Sequence, residues 1–291
     1  MKKMILWGWC ILAICLLIAP LSGFGQEKAP PQAAAPAPQA GTAPASSTPA
    51  AKETVPDPEQ ILRQSCDFLK QQSQFSFKAE VANDRVYAGG KKLQFGQEVK
   101  AAFRRPDKLR LDGDGDLESK SLIFDGKALT LYDKDKNHYA SIEVAGDMDA
   151  ALDQAYKDYG LKVGLAELGS AHLCNRAGKD LVNALYVGLH KVQGVPCHHL
   201  AFDRKDIHYQ VWIEAGDKPV IRKIVITQKR LPGSPQWTAY LSDWNLAPSL
   251  ADDLFAFTPP AGAQKIKFMP VKQAATPAPK KGKGKKKGGQ S

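Results

Sequence analysis

The sequence predicts an α+β fold, an antiparallel sheet with one apolar face roofed by short helices. Three observations predict it. Between residues 184 and 229, β-branched and aromatic residues recur with period two and short turn-formers punctuate the runs, the pattern of a strand meander. Between residues 75 and 144, further short strand-like segments alternate with turn signals such as Gly89-Gly90 and Asp125-Gly126. Between these two regions lies a stretch of helical periodicity, placed to cover a sheet rather than to fold alone.

The elements follow in order. Lys2-Lys3, an apolar run over residues 4–19 and the small-residue stretch Ser22-Gly23-Phe24-Gly25 have the three-part form of a secretory signal ending at Gly25. An uncleaved anchor is the alternative, although the run is shorter than the roughly 20 residues of a spanning helix. Residues 26–57 collapse to Ala, Pro, Gln, Ser and Thr, a composition that cannot bury enough to fold. They form a spacer of up to roughly 90 Å at about 3.1 Å per residue. The folded domain is expected over residues 58–268 and a Lys/Gly-rich disordered tail over 269–291. A helix is expected over residues 58–72, with Asp57 as N-cap and Ile61, Leu62, Cys66 and Leu69 on one face.

Strands are expected at 75–87, 92–103, 108–111, 119–124, 128–132 and 139–144. An amphipathic helix over 147–159 follows, with Leu152, Ala155, Tyr156 and Tyr159 on one side and Gly160 at its end. Residues 161–174 and 179–184 read as further short helical pieces, and 236–246 as a late strand. In the meander, turns centred on Gln193-Gly194 and Arg204-Lys205 pair Leu189 with His198, Leu200 with Tyr209 and Phe202 with Ile207. One face then carries Leu185, Val187, Leu189, Leu200, Phe202, Ile207, Tyr209, Val211 and Ile213; the other carries Tyr186, His190, Cys197, His199, His208, Gln210, Trp212 and Glu214.

Charge narrows the partners. The formal net charge is +10, but Lys2 and Lys3 carry two of those charges and seven lysines between 272 and 287 carry seven more. The rest of the chain is nearly neutral, which argues against a nucleic-acid surface on the folded domain. The tail suits an anionic membrane surface instead, at about 1 kcal/mol per Lys close to such a surface.

Candidate chemistry is sparse. His190, His199 and His208, near Cys197, form a potential zinc or copper patch on the polar face, against the plainer reading of a solvated sheet surface. Export permits disulfides, and Cys174 with Cys197 is the expected pair among Cys66, Cys174 and Cys197. The acidic runs from Asp112 and Asp133 lack the Gly and terminal acid of a calcium loop, so both read as strand turns. Ser170 and His172 come nearest to a nucleophile and base, with no orienting acid in view. No catalytic motif is present and no cofactor is implied, so no enzymatic activity is expected.

Several blocks in one order suggest a relationship: Arg105-Pro106-Asp107-Lys108-Leu109-Arg110, Phe124-Asp125-Gly126-Lys127, Gly194-Val195-Pro196-Cys197-His198-His199, Trp212-Ile213-Glu214 and Phe257-Thr258-Pro259-Pro260. In these the chain resembles the predicted periplasmic proteins of domain of unknown function 2092, which is similar to the LolA, LolB and RseB lipoprotein-carrier superfamily. The resemblance implies a strongly curved antiparallel sheet, a half-open β-barrel, with helices covering the concave face and an apolar cavity between.

The expected function is an exported periplasmic binding protein that holds a lipid acyl chain or lipoprotein between sheet and helical lid. The candidate cavity residues are Leu109, Leu111, Leu129, Leu131, Leu152, Tyr156, Leu189, Leu200, Phe202, Val211 and Ile213. An envelope scaffold without a small ligand and a histidine metal binder are the alternatives.

Overall fold

The computed structural model describes residues 55–271; the signal segment, almost all of the spacer and the lysine cluster of the tail lie outside the described residues. The first helix, α1 (Pro58–Gln71), starts where the sequence places it. Asp57 accepts hydrogen bonds from the Glu59 and Gln60 backbone N–H groups, and Pro58 occupies the first turn, where its missing N–H costs nothing. Such a cap stabilises by about 1 kcal/mol. Leu62, Cys66 and Leu69 fall on one helical stripe and are buried.

Among the described residues twelve strands make one sheet: β1 (Gln74–Val86), β2 (Lys92–Arg104), β3 (Lys108–Gly115), β4 (Lys120–Phe124), β5 (Ala128–Asp133), β6 (His138–Glu143), β7 (Asn183–Val192), β8 (Val195–Asp203), β9 (Ile207–Glu214), β10 (Ile221–Gln228), β11 (Gln236–Asn245) and β12 (Gln264–Lys265). Their spatial order is β12-β6-β5-β4-β3-β2-β1-β11-β10-β9-β8-β7. Two meanders, β1 to β6 and β7 to β11, are therefore joined where β1 pairs with both β2 and β11. Every pairing is antiparallel except β12 with β6, which sequence periodicity did not reveal because β12 has only two residues.

Register explains the core. Phe75, Phe103, Leu109, Phe124, Leu129 and Ile142 stand opposite one another across six successive strands, and all are buried. From Val81 on β1 a comparable row continues across the other meander through Ala239, Ile224, Val211, Leu200 and Tyr186. Each fully buried large apolar side chain stabilises by about 1.5–3 kcal/mol. Phe75, Phe77, Phe103 and Trp244 stack within the first row's neighbourhood, with centroids 4.7 Å apart for Phe75–Phe103 and 4.6 Å for Phe77–Trp244.

The helices pack onto these rows. α2 (Met148–Tyr159) contributes Met148, Ala151, Leu152 and Ala155 to the same core as the sheet rows and α1. A 3-10 turn, Gly164–Gly169, and α3 (Leu173–Gly178) follow it. Gly169 lies so close to Phe103 and Met148 that an added Cβ would fall 2.3 Å from the Phe103 ring and 2.6 Å from Met148 Sδ. Only hydrogen fits there.

Arg105 fastens helices to sheet. Its guanidinium donates to the carbonyls of Gln72 (3.2 Å) and Leu69 (3.4 Å) at the end of α1, and to those of Leu168 (3.5 Å) and Gly169. It also lies over the Phe75 ring, 5.7 Å from the centroid. Burial lowers its pKa, and nearby Asp149 partly offsets that effect.

Several expectations are corrected. The β8–β9 connection is two residues longer at its pairing limit than expected: Asp203 faces His208, so Leu200 pairs with Val211 and Phe202 with Tyr209. A shift of two preserves the faces, and Leu200, Phe202, Val211 and Ile213 are buried as expected. A bulge between Tyr186 and Gly188, where Gly188 has φ 144°, has the opposite effect. It turns Tyr186 inward and leaves Leu185 and Val187 exposed, while Leu189, correctly paired with His198, is exposed on the edge strand. Residues 179–182 are not helical and lead directly into β7, and Tyr156 faces solvent although Leu152 and Ala155 do not. Finally, the opposite sheet face is not wholly polar: Val192, Cys197, Trp212 and Val225 form a second small apolar cluster there.

Replacing Arg105 by Ala leaves several carbonyls at the α1 and 3-10 termini without their shared donor. The variant is expected to lose about 2–3 kcal/mol, read as a lower urea midpoint; an unchanged midpoint contradicts the fastening role.

Candidate binding cleft between sheet and strap

Gly160 ends α2 in the left-handed conformation (φ 66°), where a β-carbon would be strained. The chain then runs as a strap, residues 161–165, across the sheet. Beneath it is a cavity of about 270 Å³. Val81, Val99, Leu111, Leu122 and Leu131 contribute apolar wall from β1 to β5, and Leu161, Val163 and Leu165 contribute it from the strap. Gln97, Glu118, Lys120 and Lys162 supply polar groups around it.

Gly113 and Gln97 together shape one wall of the cavity. Gly113 occupies the inward position of β3 between Val99 and Lys120, so the apolar row is interrupted by a residue with no side chain. An added Cβ there would stand 2.5 Å from Gln97 Nε2. Gly115, two residues on, is similarly crowded by Gln97 and the Gly96 carbonyl. The two glycines let the Gln97 side chain lie close over the strand.

A larger cleft, about 840 Å³, adjoins the first. Lys162, Gly164 and Trp237 line both, and the Trp237 ring lies 4.0 Å from where a Gly164 side chain would begin. Arg204 lines the larger cleft and its buried Nε has no hydrogen-bond partner among the described residues. Its other nitrogen donates to the Arg176 and Ala177 carbonyls, and the Tyr209 hydroxyl donates to Ala177 at 2.9 Å. Burial pushes the Tyr209 phenol well above its ordinary pKa. Apolar walls with a few polar groups at the rim suit an amphiphilic or apolar ligand.

Of the sequence-derived cavity residues, Leu111 and Leu131 line this cavity. Leu109, Leu129, Leu152, Leu200, Phe202, Val211 and Ile213 are packed core, while Tyr156 and Leu189 are exposed. Val81, Val99, Leu122, Leu161, Val163, Leu165 and Trp237 were missed. A readable signal existed in Gly113 and Gly115, two glycines at inward strand positions, but the Asp-Gly-Asp-Gly-Asp run suggested a turn.

The histidines separate. His190 Nδ1 lies 3.1 Å from His199 Nδ1, and His199 stacks on Trp212 with centroids 4.0 Å apart. His208 instead pairs with Asp203 at 3.2 Å, near the far end of β9. Among the described residues no group of three or more His, Cys, Asp or Glu is arranged to hold a metal ion. Ser170 Oγ donates to buried Asp149 and accepts from the His172 backbone N–H at 3.0 Å, a turn-stabilising arrangement that engages no imidazole. Asp133 accepts from the Lys136 N–H in the turn after β5, as expected. The run from Asp112 is not the expected turn: residues 112–115 lie within β3, where Asp112 accepts from Arg110 and Ser121, and Asp116 just beyond the strand accepts from the Gly96 N–H.

The expected Cys174–Cys197 pair is also corrected. Cys197 points to the face of β8 opposite His198 and Leu200 and joins the second apolar cluster. Cys174 belongs to α3, which packs against α1 on the helix-bearing side. The sheet separates them.

A family model described as "Predicted periplasmic protein (DUF2092)" matches residues 58–269. A search of curated protein sequences finds no match. Among solved structures, the chain is similar to the lipoprotein LppX of Mycobacterium tuberculosis: 14% identity, TM-score 0.39, covering 66% of this chain and 97% of that one. It is similar to a LolA superfamily protein of Nitrosomonas europaea at 10% identity and TM-score 0.34, covering 69% and 97%. A chain of the Pseudomonas aeruginosa MucA/MucB complex matches at 11% identity and TM-score 0.38, covering 70% and 62%.

Burial, the largest influence, lowers the His199 pKa; His190 and Lys223 add to this, and the Gln210 hydrogen bond opposes it. A histidine depressed in the folded state stabilises fully above about pH 6.5 and loses that contribution as pH falls through its folded pKa. The His199 ring resonances are therefore expected to titrate below about 6.5, and a titration above that value contradicts the packing described.

Proposed function

The chain belongs to the family of predicted periplasmic proteins known as DUF2092, and from that premise we propose that it is a non-catalytic periplasmic binding protein. It holds an apolar ligand, an acyl chain or the lipid portion of a lipoprotein, between the sheet and the strap. One observation carries this reading: the cavity beneath residues 161–165 has apolar walls from five strands and polar groups at its rim. Ligand pockets span about 300–1,000 Å³. The smaller cavity is close to the lower end of that range and the adjoining cleft lies within it. In this reading the sheet is strongly curved, a half-open barrel whose helices and strap cover the concave side.

The domain limits follow from composition: signal peptide 1–25, spacer 26–57, binding domain 58–268 and tail 269–291. The lysine-rich tail supplies attraction to anionic lipid headgroups, which keeps the cleft near a membrane without taking part in ligand capture. A second reading, an interaction protein with no small ligand, draws support from the free sheet edge, where Leu185, Val187 and Leu189 are exposed on β7.

The test uses a fluorescent palmitoyl probe. Leu131→Trp fills the cavity wall and Gly164→Leu narrows the boundary beside Trp237. Each is expected to weaken probe binding about tenfold, about 1.4 kcal/mol, with the far-ultraviolet dichroism unchanged. The exposed control Tyr156→Ser is expected to bind normally. Absence of saturable uptake by the wild-type protein rejects the ligand reading.

Removal of residues 272–291 is expected to abolish binding to phosphatidylserine vesicles at low salt while leaving palmitoyl uptake intact. Retention of vesicle binding by the truncated protein removes the tail from this role.

A further inference from the structure

Cys66 and Cys174 meet where α1 packs against α3. Both line one cleft of about 460 Å³, together with Arg63, Asp67 and Leu181. Cys174 Sγ lies 3.5 Å from Asp67 Oδ1 and 3.9 Å from the Arg63 carbonyl oxygen. Asp67 follows Cys66 directly, and Arg63 precedes it by about one helical turn, so Cys174 is seated over the stretch of α1 that carries Cys66. Cys197, on the other side of the sheet, competes with neither.

Their surroundings differ from those of metal-binding or catalytic thiols. Burial is the main effect that pushes both thiols above the ordinary range, and the Cys174 thiol raises Cys66 further. Such thiols stay protonated at neutral pH and make poor standing nucleophiles. Two of them side by side in an oxidising compartment have another outcome available.

We propose that Cys66 and Cys174 are a modification site, a disulfide that fastens α3 to α1 in the mature protein. The proposal rests on the periplasmic address and on helix packing, and is independent of ligand binding. The oxidant is a dithiol–disulfide oxidoreductase in its disulfide form. Cys174, half-buried at the cleft, loses its proton and attacks one oxidant sulfur, forming a mixed disulfide and releasing the other oxidant sulfur as thiolate. Cys66 then loses its proton and attacks Cys174 Sγ, breaking the mixed disulfide. The two electrons lost by the cysteine sulfurs reduce the oxidant to its dithiol, which takes up the two protons.

The bond acts beyond the two residues. Arg176 of α3 donates to Glu167 (2.5 Å) in the 3-10 turn and to Asp153 (2.8 Å) in α2. Fastening α3 to α1 therefore restrains the whole helical side of the domain, and it closes a loop of roughly one hundred residues in the unfolded chain.

The full-length precursor is expressed with export to an oxidising periplasm. The mature protein is quenched in acid, denatured, alkylated without reductant and mapped by peptide mass. The expected result is a Cys66 peptide joined to the Cys174 peptide, lighter than the separate pair by two hydrogens, with Cys197 alkylated. Recovery of Cys66 and Cys174 both alkylated, or of a link to Cys197, overturns the proposal. A second measurement uses the half-buried position alone. Dithiothreitol is expected to lower the urea midpoint of the wild type and to leave that of Cys174→Ser unchanged. A wild-type midpoint indifferent to reductant overturns the fastening role.

Discussion

The structure depends on keeping one face of a twelve-stranded sheet out of water. Phe75, Phe103, Leu109, Phe124, Leu129 and Ile142 cross six strands in register, and no single strand can shield such a row. Helices must lie on it, and each helix brings terminal carbonyls that need donors at the point of burial. Arg105 answers that need. Placed just beyond β2, its one guanidinium serves the ends of α1 and of the 3-10 turn while lying over Phe75. Apolar burial supplies the driving force, and this cation makes the burial compatible with backbone hydrogen bonding.

The candidate cleft arises where that cover is incomplete. At Gly113 the inward row of β3 has no side chain, and α2 has just ended at Gly160, so a thin strap rather than a helix passes overhead. Trp237 and Gly164 then form the boundary with the larger cleft, where a bulky ring meets a residue lacking one. The candidate cleft and the packed core thus occupy adjacent parts of the same face.

The other face of the sheet has a different character. Trp212 stacks on His199 and lies 4.5 Å from the Lys223 ammonium, which also contacts Tyr240. These contacts shield part of a surface that sequence alternation marked as polar. They also explain why histidines close in sequence serve separate partners, His199 with Trp212 and Gln210, and His208 with Asp203. Strand geometry separates them: His199 stands opposite Trp212, which lies four residues, roughly 13 Å, along β9 from His208.

What the residues determined alone was the local and the periodic. Asp57 before Pro58 marked the α1 cap, period-two alternation located eleven of the twelve strands, and Gln193-Gly194 set the Leu189–His198 register. These follow from neighbours in the chain, so one sequence displays them. Tertiary structure decided the rest: the bulge that exposes Leu185, the placement of Cys174 over α1 rather than near Cys197, and the conversion of Gly113 from an apparent turn into an inward strand position covered by Gln97 at the cavity wall. Each depends on which surfaces distant segments bring together. Periodicity reports which way a side chain points, and carries no information about what stands opposite it.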